Sequence, residues 1–147
     1  MKEKITVFIN IFLISFILNL IWENLHAPLY DNYMGGKITE LVLLRATLAD
    51  AAIIVFIFIL LALFFRNFLW FQNLNWKSIL FLLIIGAFIA IGIEKWALIT
   101  DRWDYMYSMP IIPVIKVGLT PVLQMMLLPI TSFYMLSKIK ITKVKNY

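Results

Sequence analysis

Apolar residues run through this chain in four long blocks, about 5–22, 47–65, 78–98 and 111–136, separated by more polar connections at 23–46, 66–77 and 99–110. Each block matches or approaches the roughly 20 mostly apolar residues a helix needs to cross a bilayer. The pattern predicts an all-α integral membrane protein, a single domain over 1–147 built as a four-transmembrane-helix bundle. Asp31-Asn32 and Gly35-Gly36 give the first connection a turn composition, and 40–45 reads as an extension of the second helix beyond the membrane. Pro110, Pro113, Gly118 and Pro121 crowd the start of the fourth block and predict a Pro/Gly-interrupted helix there. Pro121 donates no backbone hydrogen bond, which would free the carbonyl of Val117. Irregular backbone at membrane depth survives only where protein or a water-filled cavity satisfies it. No internal repeat, low-complexity segment or domain boundary is visible.

Composition supports this class. The chain is 63% hydrophobic and 14% charged, against about 45–50% and about 25% in soluble domains, and a soluble fold would leave the surplus as aggregating surface. The absence of cysteine excludes a disulfide framework and a thiolate metal site. The start, Met1-Lys2-Glu3-Lys4 and then an apolar run, superficially resembles a signal peptide. That run is too long for an h-region and ends in Trp22-Glu23-Asn24 rather than small residues, so it reads as a retained first span.

The net charge of +5 is read as topology rather than as nucleic-acid binding. One side of the predicted bundle holds Lys2, Lys4, Arg66, Lys77, Lys138, Lys140, Lys143 and Lys145, and the other holds Lys37, Arg45, Lys95, Arg102 and Lys116. Eight basic residues against five place both termini in the cytoplasm (N-in, C-in) and the chain in the cell membrane. The tail 138–145 then touches anionic lipid at most. Acidic residues are more skewed: Glu3 lies on the inner side, whereas Glu23, Asp31, Glu40, Asp50, Glu94, Asp101 and Asp104 lie outside. Acids contribute little to topology, so function is a candidate cause. Phe68, Trp70, Phe71 and Trp76 near one interface, and Trp22, Tyr30, Tyr33, Trp96, Trp103, Tyr105 and Tyr107 near the other, read first as aromatic anchors.

Charged groups inside spans are expensive and mark function by default. Ser15, Asn19, Glu23 and His26 recur at spacings of four, four and three, one stripe of a helix. Asp50 lies inside the second apolar block, near Thr47 and Arg45. Gly86, Ala90, Glu94 and Ala97 form a stripe whose small residues admit a neighbouring backbone and turn Glu94 inward. Lys116, Thr120 and Gln124 share a face of the predicted fourth helix. Four polar stripes thus converge on the outer third of the bilayer. A plainer reading pairs the carboxylates with Arg45, Lys95, Lys116 or Arg102 in a structural ion network, although Lys95 must project about 100° away from its neighbour Glu94. His26 with Met106 and Met109 offers soft ligands to Cu(I), but without Cys or a second His no metal or cofactor is assigned.

Two stretches resemble a motif set of small, uncharacterised bacterial four-span membrane proteins. The first is Trp22-Glu23-Asn24-Leu25-His26-Ala27-Pro28-Leu29-Tyr30, and the second runs from Glu94 through Arg102-Trp103-Asp104-Tyr105, Met109-Pro110, Pro113 and Gly118-Leu119-Thr120-Pro121 to Gln124. That resemblance implies the four-span fold and no particular activity. Trp22-Glu23 at a span end is similar to a motif of integral-membrane terpenoid cyclases, and Glu94 with Trp103-Asp104-Tyr105 is similar to membrane carotenoid and lycopene cyclase domains. The likeness implies acids that protonate an isoprenoid alkene or epoxide. The chain departs from those families in having four spans rather than seven and no Pro-Glu-Glu motif.

The leading expectation is a membrane-embedded enzyme performing general acid–base chemistry on a lipid-like or isoprenoid substrate near the outer leaflet. Such chemistry needs a carboxylic acid that keeps its proton near neutrality. Glu23 and Glu94 are the expected acid and base, Asp50 their partner and His26 a shuttle, with Asn19, Arg102, Asp104, Tyr105, Lys116, Thr120 and Gln124 holding substrate. The alternatives are an oligomeric ion or small-solute carrier, favoured by a broken fourth helix, and an accessory subunit docked on a membrane partner.

Overall fold

The computed structural model describes residues 2–139. Its frame is four helices, α1 (Lys2–His26), α2 (Glu40–Phe64), α3 (Trp76–Ile99) and α4 (Leu119–Lys138), each long and apolar enough to cross a membrane. Lys140, Lys143 and Lys145 of the basic tail lie outside the described residues. Side-chain caps mark two helix starts: Thr39 accepts the Val42 N–H at 3.4 Å, and Asn75 accepts that of Ser78 at 3.0 Å.

The outer faces of the helices are apolar, while their polar side chains are gathered inside beside an apolar core. On α1, Ile5, Ile9, Leu13, Ile17 and Ile21 recur every fourth residue and are each at least half exposed, while Ser15, Asn19, Glu23 and His26 are buried. The predicted α3 stripe of Gly86, Ala90, Glu94 and Ala97 is likewise buried. A soluble helix would reverse this arrangement.

α1 packs along α2 and α4, and α4 along α3, whereas among the described residues α2 and α3 do not pack along one another. At the end of the bundle holding α1's first turn and α4's last, Phe81 of α3 meets Phe64 and Phe65 of α2, with ring centroids 5.1 and 6.1 Å apart. The same end is plugged by a short 3₁₀ turn, Trp70–Asn73, folded back into the bundle. Trp70 and Phe71 are buried there against Phe58 and Phe133, and the Trp70 indole donates to the Phe58 carbonyl at 3.4 Å. These two rings are core rather than interfacial anchors, unlike Trp76, which is exposed. Away from this plug α2 and α3 diverge.

Gly86 sets the α3–α4 spacing. A Cβ built on it would sit 2.1 Å from the Met125 carbonyl oxygen. The residue that would return a helical hydrogen bond to that carbonyl is Pro129, which has no N–H. A carbonyl released by proline thus lies against a glycine, and no side chain fits between them.

At the opposite end, β1 (Tyr30–Tyr33) pairs antiparallel with β2 (Trp103–Tyr105), matching Tyr30 with Tyr105 and Tyr33 with Trp103. β3 (Ile111–Ile112) pairs with β4 (Val117–Gly118). This corrects the fourth block: 111–118 is a small hairpin, not helix, and Lys116 sits in its turn with φ 53°. α4 begins only at Leu119, so Pro121 falls in its first turn, where no N–H needs a partner. Val117 belongs to β4, and α4 runs continuously through Pro121; the predicted interruption is instead a late start, with Pro129 the proline in the helix body.

Candidate functional site

Where α2 and α3 diverge, a cavity of about 320 Å³ opens, lined by Glu23, His26, Asp50, Glu94 and Gln124 together with Tyr30, Trp103 and Arg45. The three carboxylates expected to meet do so here.

Gln124 is the hub. Its side-chain nitrogen lies 2.9 Å from Asn19 Oδ1, 2.8 Å from Glu23 Oε1 and 2.9 Å from Asp50 Oδ2. An amide nitrogen carries two hydrogens, so three acceptors share two donors. Asn19 is oriented from below, its own amide donating to the Ser15 carbonyl at 2.8 Å. Glu23 Oε1 also takes His26 Nε2 at 3.3 Å, one helical turn on. With Nε2 donating, Nδ1 is left as an acceptor; it is buried and has no partner.

Glu94 is held separately. Its Oε2 accepts from Trp103 Nε1 at 3.2 Å and from the Tyr105 hydroxyl, whose oxygen in turn accepts the Gly118 N–H at 3.0 Å. β2 makes this possible. Alternation turns Trp103 and Tyr105 inward and leaves Asp104 exposed. Tyr30 sits between them and the histidine, with centroids 5.3 Å from His26, 5.6 Å from Tyr105 and 6.2 Å from Trp103. Burial, reinforced by the Glu94 charge, raises the Tyr30 hydroxyl pKa above its ordinary value. Burial and the bond to Glu94 raise that of Tyr105, partly opposed by the Gly118 N–H. Both rings are protonated donors at neutral pH.

Each carboxylate is anchored through one oxygen. Glu23 Oε2, Asp50 Oδ1 and Glu94 Oε1 receive no amide, indole or phenol hydrogen from any described residue, and the Glu23 and Asp50 carboxyl groups lie within hydrogen-bonding reach of one another. Nor are they sealed off, since the only buried side-chain polar atoms without partners among the described residues are Trp22 Nε1 and His26 Nδ1. The free oxygens therefore open on the cavity. The plainer expectation of an ion network is not what the geometry contains: among the described residues no lysine or arginine approaches a carboxylate within 4.0 Å, and the basic side chain that does is the His26 imidazole, beside Glu23.

The structure thus gathers Asn19, Glu23, His26, Asp50, Glu94, Tyr105 and Gln124. It does not bring four other expected residues to the cavity. Arg102 stacks over Trp96 at 4.9 Å. Asp104 accepts from Asn32 at 2.9 Å, fastening β2 to β1 on the exposed face. Thr120 turns to the Met109 sulfur at 3.3 Å, and Lys116 is exposed on its turn. Tyr30 and Trp103, read from sequence as anchors, are instead walls of the site. The Trp103-x-Tyr105 spacing, which puts both rings on one strand face, was the available signal. Among the described residues no three His, Asp or Glu side chains converge as a metal ion would require.

No protein-family model, curated protein or solved structure matches this chain, so its own geometry carries the functional reading.

Proposed function

We propose that this chain is a membrane-embedded enzyme that performs general acid–base chemistry on a lipid-like substrate entering between α2 and α3. The observation that carries the proposal is the trio of carboxylates, each clamped by one oxygen and presenting the other to a single cavity. Rigid anchoring with one free oxygen is what a positioned acid or base needs. Glu94, braced by Trp103 and Tyr105, and Glu23, braced by Gln124 and His26, stand as the acid–base pair. Asp50 shares the Gln124 amide with Glu23. Because that amide has one hydrogen too few for its acceptors, a proton carried on one carboxyl group completes the set and is available for transfer. His26 links the group through Glu23.

In this reading the apolar outer faces of the helices meet lipid, and the bundle sits in the cell membrane with both termini cytoplasmic and the cavity toward the outer leaflet. The excess of basic residues at the termini end supports that orientation. The gap between α2 and α3 then faces acyl chains, and a lipid reaches the carboxylates without crossing water. A carrier has less support, since α4 is continuous from Leu119 onward and offers no broken helix start to an ion. The test is turnover: purified protein with extracted membrane lipids and isoprenoids, compared with Glu23→Gln and Glu94→Gln. Product formation lost in both variants is expected. The proposal fails if no lipid is converted and the cellular lipid profile is unchanged by Glu23→Gln.

A further inference from the structure

A count of donors and acceptors around the cavity restricts what it can hold. Deep in it, Glu23 Oε2, Asp50 Oδ1 and Glu94 Oε1 take no hydrogen from an amide, indole or phenol, and His26 Nδ1, on a residue only 6% exposed, has no partner. Apart from the Tyr30 hydroxyl on the cavity wall, the donors nearby are already committed. Gln124 serves Asn19, Glu23 and Asp50, and the Trp103 and Tyr105 hydrogens both go to Glu94. The three carboxylate oxygens open on the cavity and His26 Nδ1 is buried without a partner, so a ligand carrying N–H or O–H donors matches what the site offers. Three carboxylates without a lysine or arginine in contact favour a cation. The Tyr30 and Trp103 rings on the cavity wall are compatible with one. The cavity's own cationic side chain, Arg45, is exposed at its mouth, not at its floor.

The walls leading away from the acids are apolar: Ala46, Ala49 and Ile53 of α2 and Ala90 and Ile93 of α3 line the cavity. These are the helices that do not pack along one another. An unbranched chain leaving the acids therefore runs out between α2 and α3, not along the bundle axis.

We propose that the cavity binds a primary-amine amphiphile, its ammonium head seated among Glu23, Asp50, Glu94 and His26 and its alkyl tail lying between α2 and α3. This deepens the enzyme reading by naming the substrate class for the same site. An ammonium supplies three donors, and Arg45 at the mouth leaves the far end of the ligand neutral or anionic. A lipid whose head bears an amine and a free amine share the head-group chemistry. Only the lipid uses the gap.

The experiment is a tryptophan-fluorescence titration of the full chain in a neutral maltoside detergent. The probes are dodecylamine, dodecyltrimethylammonium, dodecanol and butylamine. Dodecylamine is expected to bind at least about tenfold tighter than its trimethylated analogue, which keeps the charge but has no N–H. Dodecanol and butylamine are expected to be weaker still. Asp50→Asn and Glu94→Gln should each weaken dodecylamine by at least about tenfold, while Asp104→Asn, outside the cavity, should not. Ala49→Trp, which obstructs the gap and leaves every acid in place, should weaken dodecylamine and spare butylamine, so a folding defect in an acid variant cannot hide the answer. Equal affinity for the trimethylated analogue or for dodecanol would overturn the donor argument. Equal affinity for butylamine would overturn the lipidic half. Amine binding without lipid conversion sinks only the enzyme reading, whereas conversion abolished by Glu23→Gln without amine binding sinks only this inference.

Discussion

Replacing Gln124 by leucine isolates the contact on which the site's architecture turns. The volume is nearly conserved, and the side chain is buried, at 3% exposure, so the main loss is the amide that touches Asn19, Glu23 and Asp50 at 2.8 to 2.9 Å. Two hydrogens allow two of these bonds at a time, and at least one then goes to a carboxylate. A hydrogen bond to a charged group is worth about 1.5–3 kcal/mol and one between neutral groups about 0.5–1.5 kcal/mol. Gln124→Leu is therefore expected to lose about 3–5 kcal/mol, including the cost of leaving two carboxyl groups face to face without a bridging donor. Equilibrium unfolding in mixed micelles, followed by tryptophan fluorescence, measures it. Asp50→Asn in the Gln124→Leu background restores an amide beside Glu23, and part of the stability should return, a non-additivity expected only of groups in one network. A Gln124→Leu protein within about 0.5 kcal/mol of the parent, or strictly additive behaviour in the double variant, would refute the hub.

Gly86→Ala should destabilise the bundle by about 1–3 kcal/mol, because its methyl group collides with the Met125 carbonyl and must push α3 from α4; unchanged unfolding would show that the helices do not approach so closely. Tyr30 and Tyr105 are held above their ordinary pKa of about 10, so above that pH the unfolded chain gives up protons the folded chain keeps. Their contribution to stability is complete below about pH 10 and drains away as pH rises further. Unfolding at about pH 9 and about pH 11 should show the loss, with a shallower slope in Tyr105→Phe, and a phenolate absorbance rising as one transition for all six tyrosines would contradict it. Ala49→Trp should cut turnover on any lipid substrate while leaving unfolding within about 0.5 kcal/mol of the parent; full turnover would mean that substrate does not enter between α2 and α3.

Helical periodicity made much of this legible. Spacings of three and four predict the α1 stripe through Ser15, Asn19, Glu23 and His26, and the small residues before Glu94 predict its inward face. Gln124 follows from the same rule, although nothing in a linear pattern shows that one amide meets three partners. Misreadings cluster where periodicity has no authority. Residues 111–118 are apolar enough to count as helix, yet Pro110, Pro113 and a left-handed Lys116 make them a hairpin, and this withdraws Lys116 from the site, while Thr120, in α4, turns to the Met109 sulfur. Aromatic rings near a helix end are ambiguous by composition. Trp70 and Phe71 plug the bundle and Trp103 and Tyr30 line the cavity, because a 3₁₀ turn and a strand pair fold them inward. Arg102 and Asp104 sit beside the inward-facing Trp103 and Tyr105, but strand alternation points Asp104 the other way and Arg102 lies over Trp96.

Proximity of the acids can be read directly, because the chain has no cysteine of its own. Cysteines introduced in pairs at positions 23 and 50, 23 and 94, and 50 and 94, in protein embedded in bilayers, should each be joined efficiently by a short bifunctional thiol reagent. A pair at 50 and 104 should not. If the first three pairs couple no better than the last, the acids do not share a cavity, and both the catalytic and the amine-binding proposals fall with it.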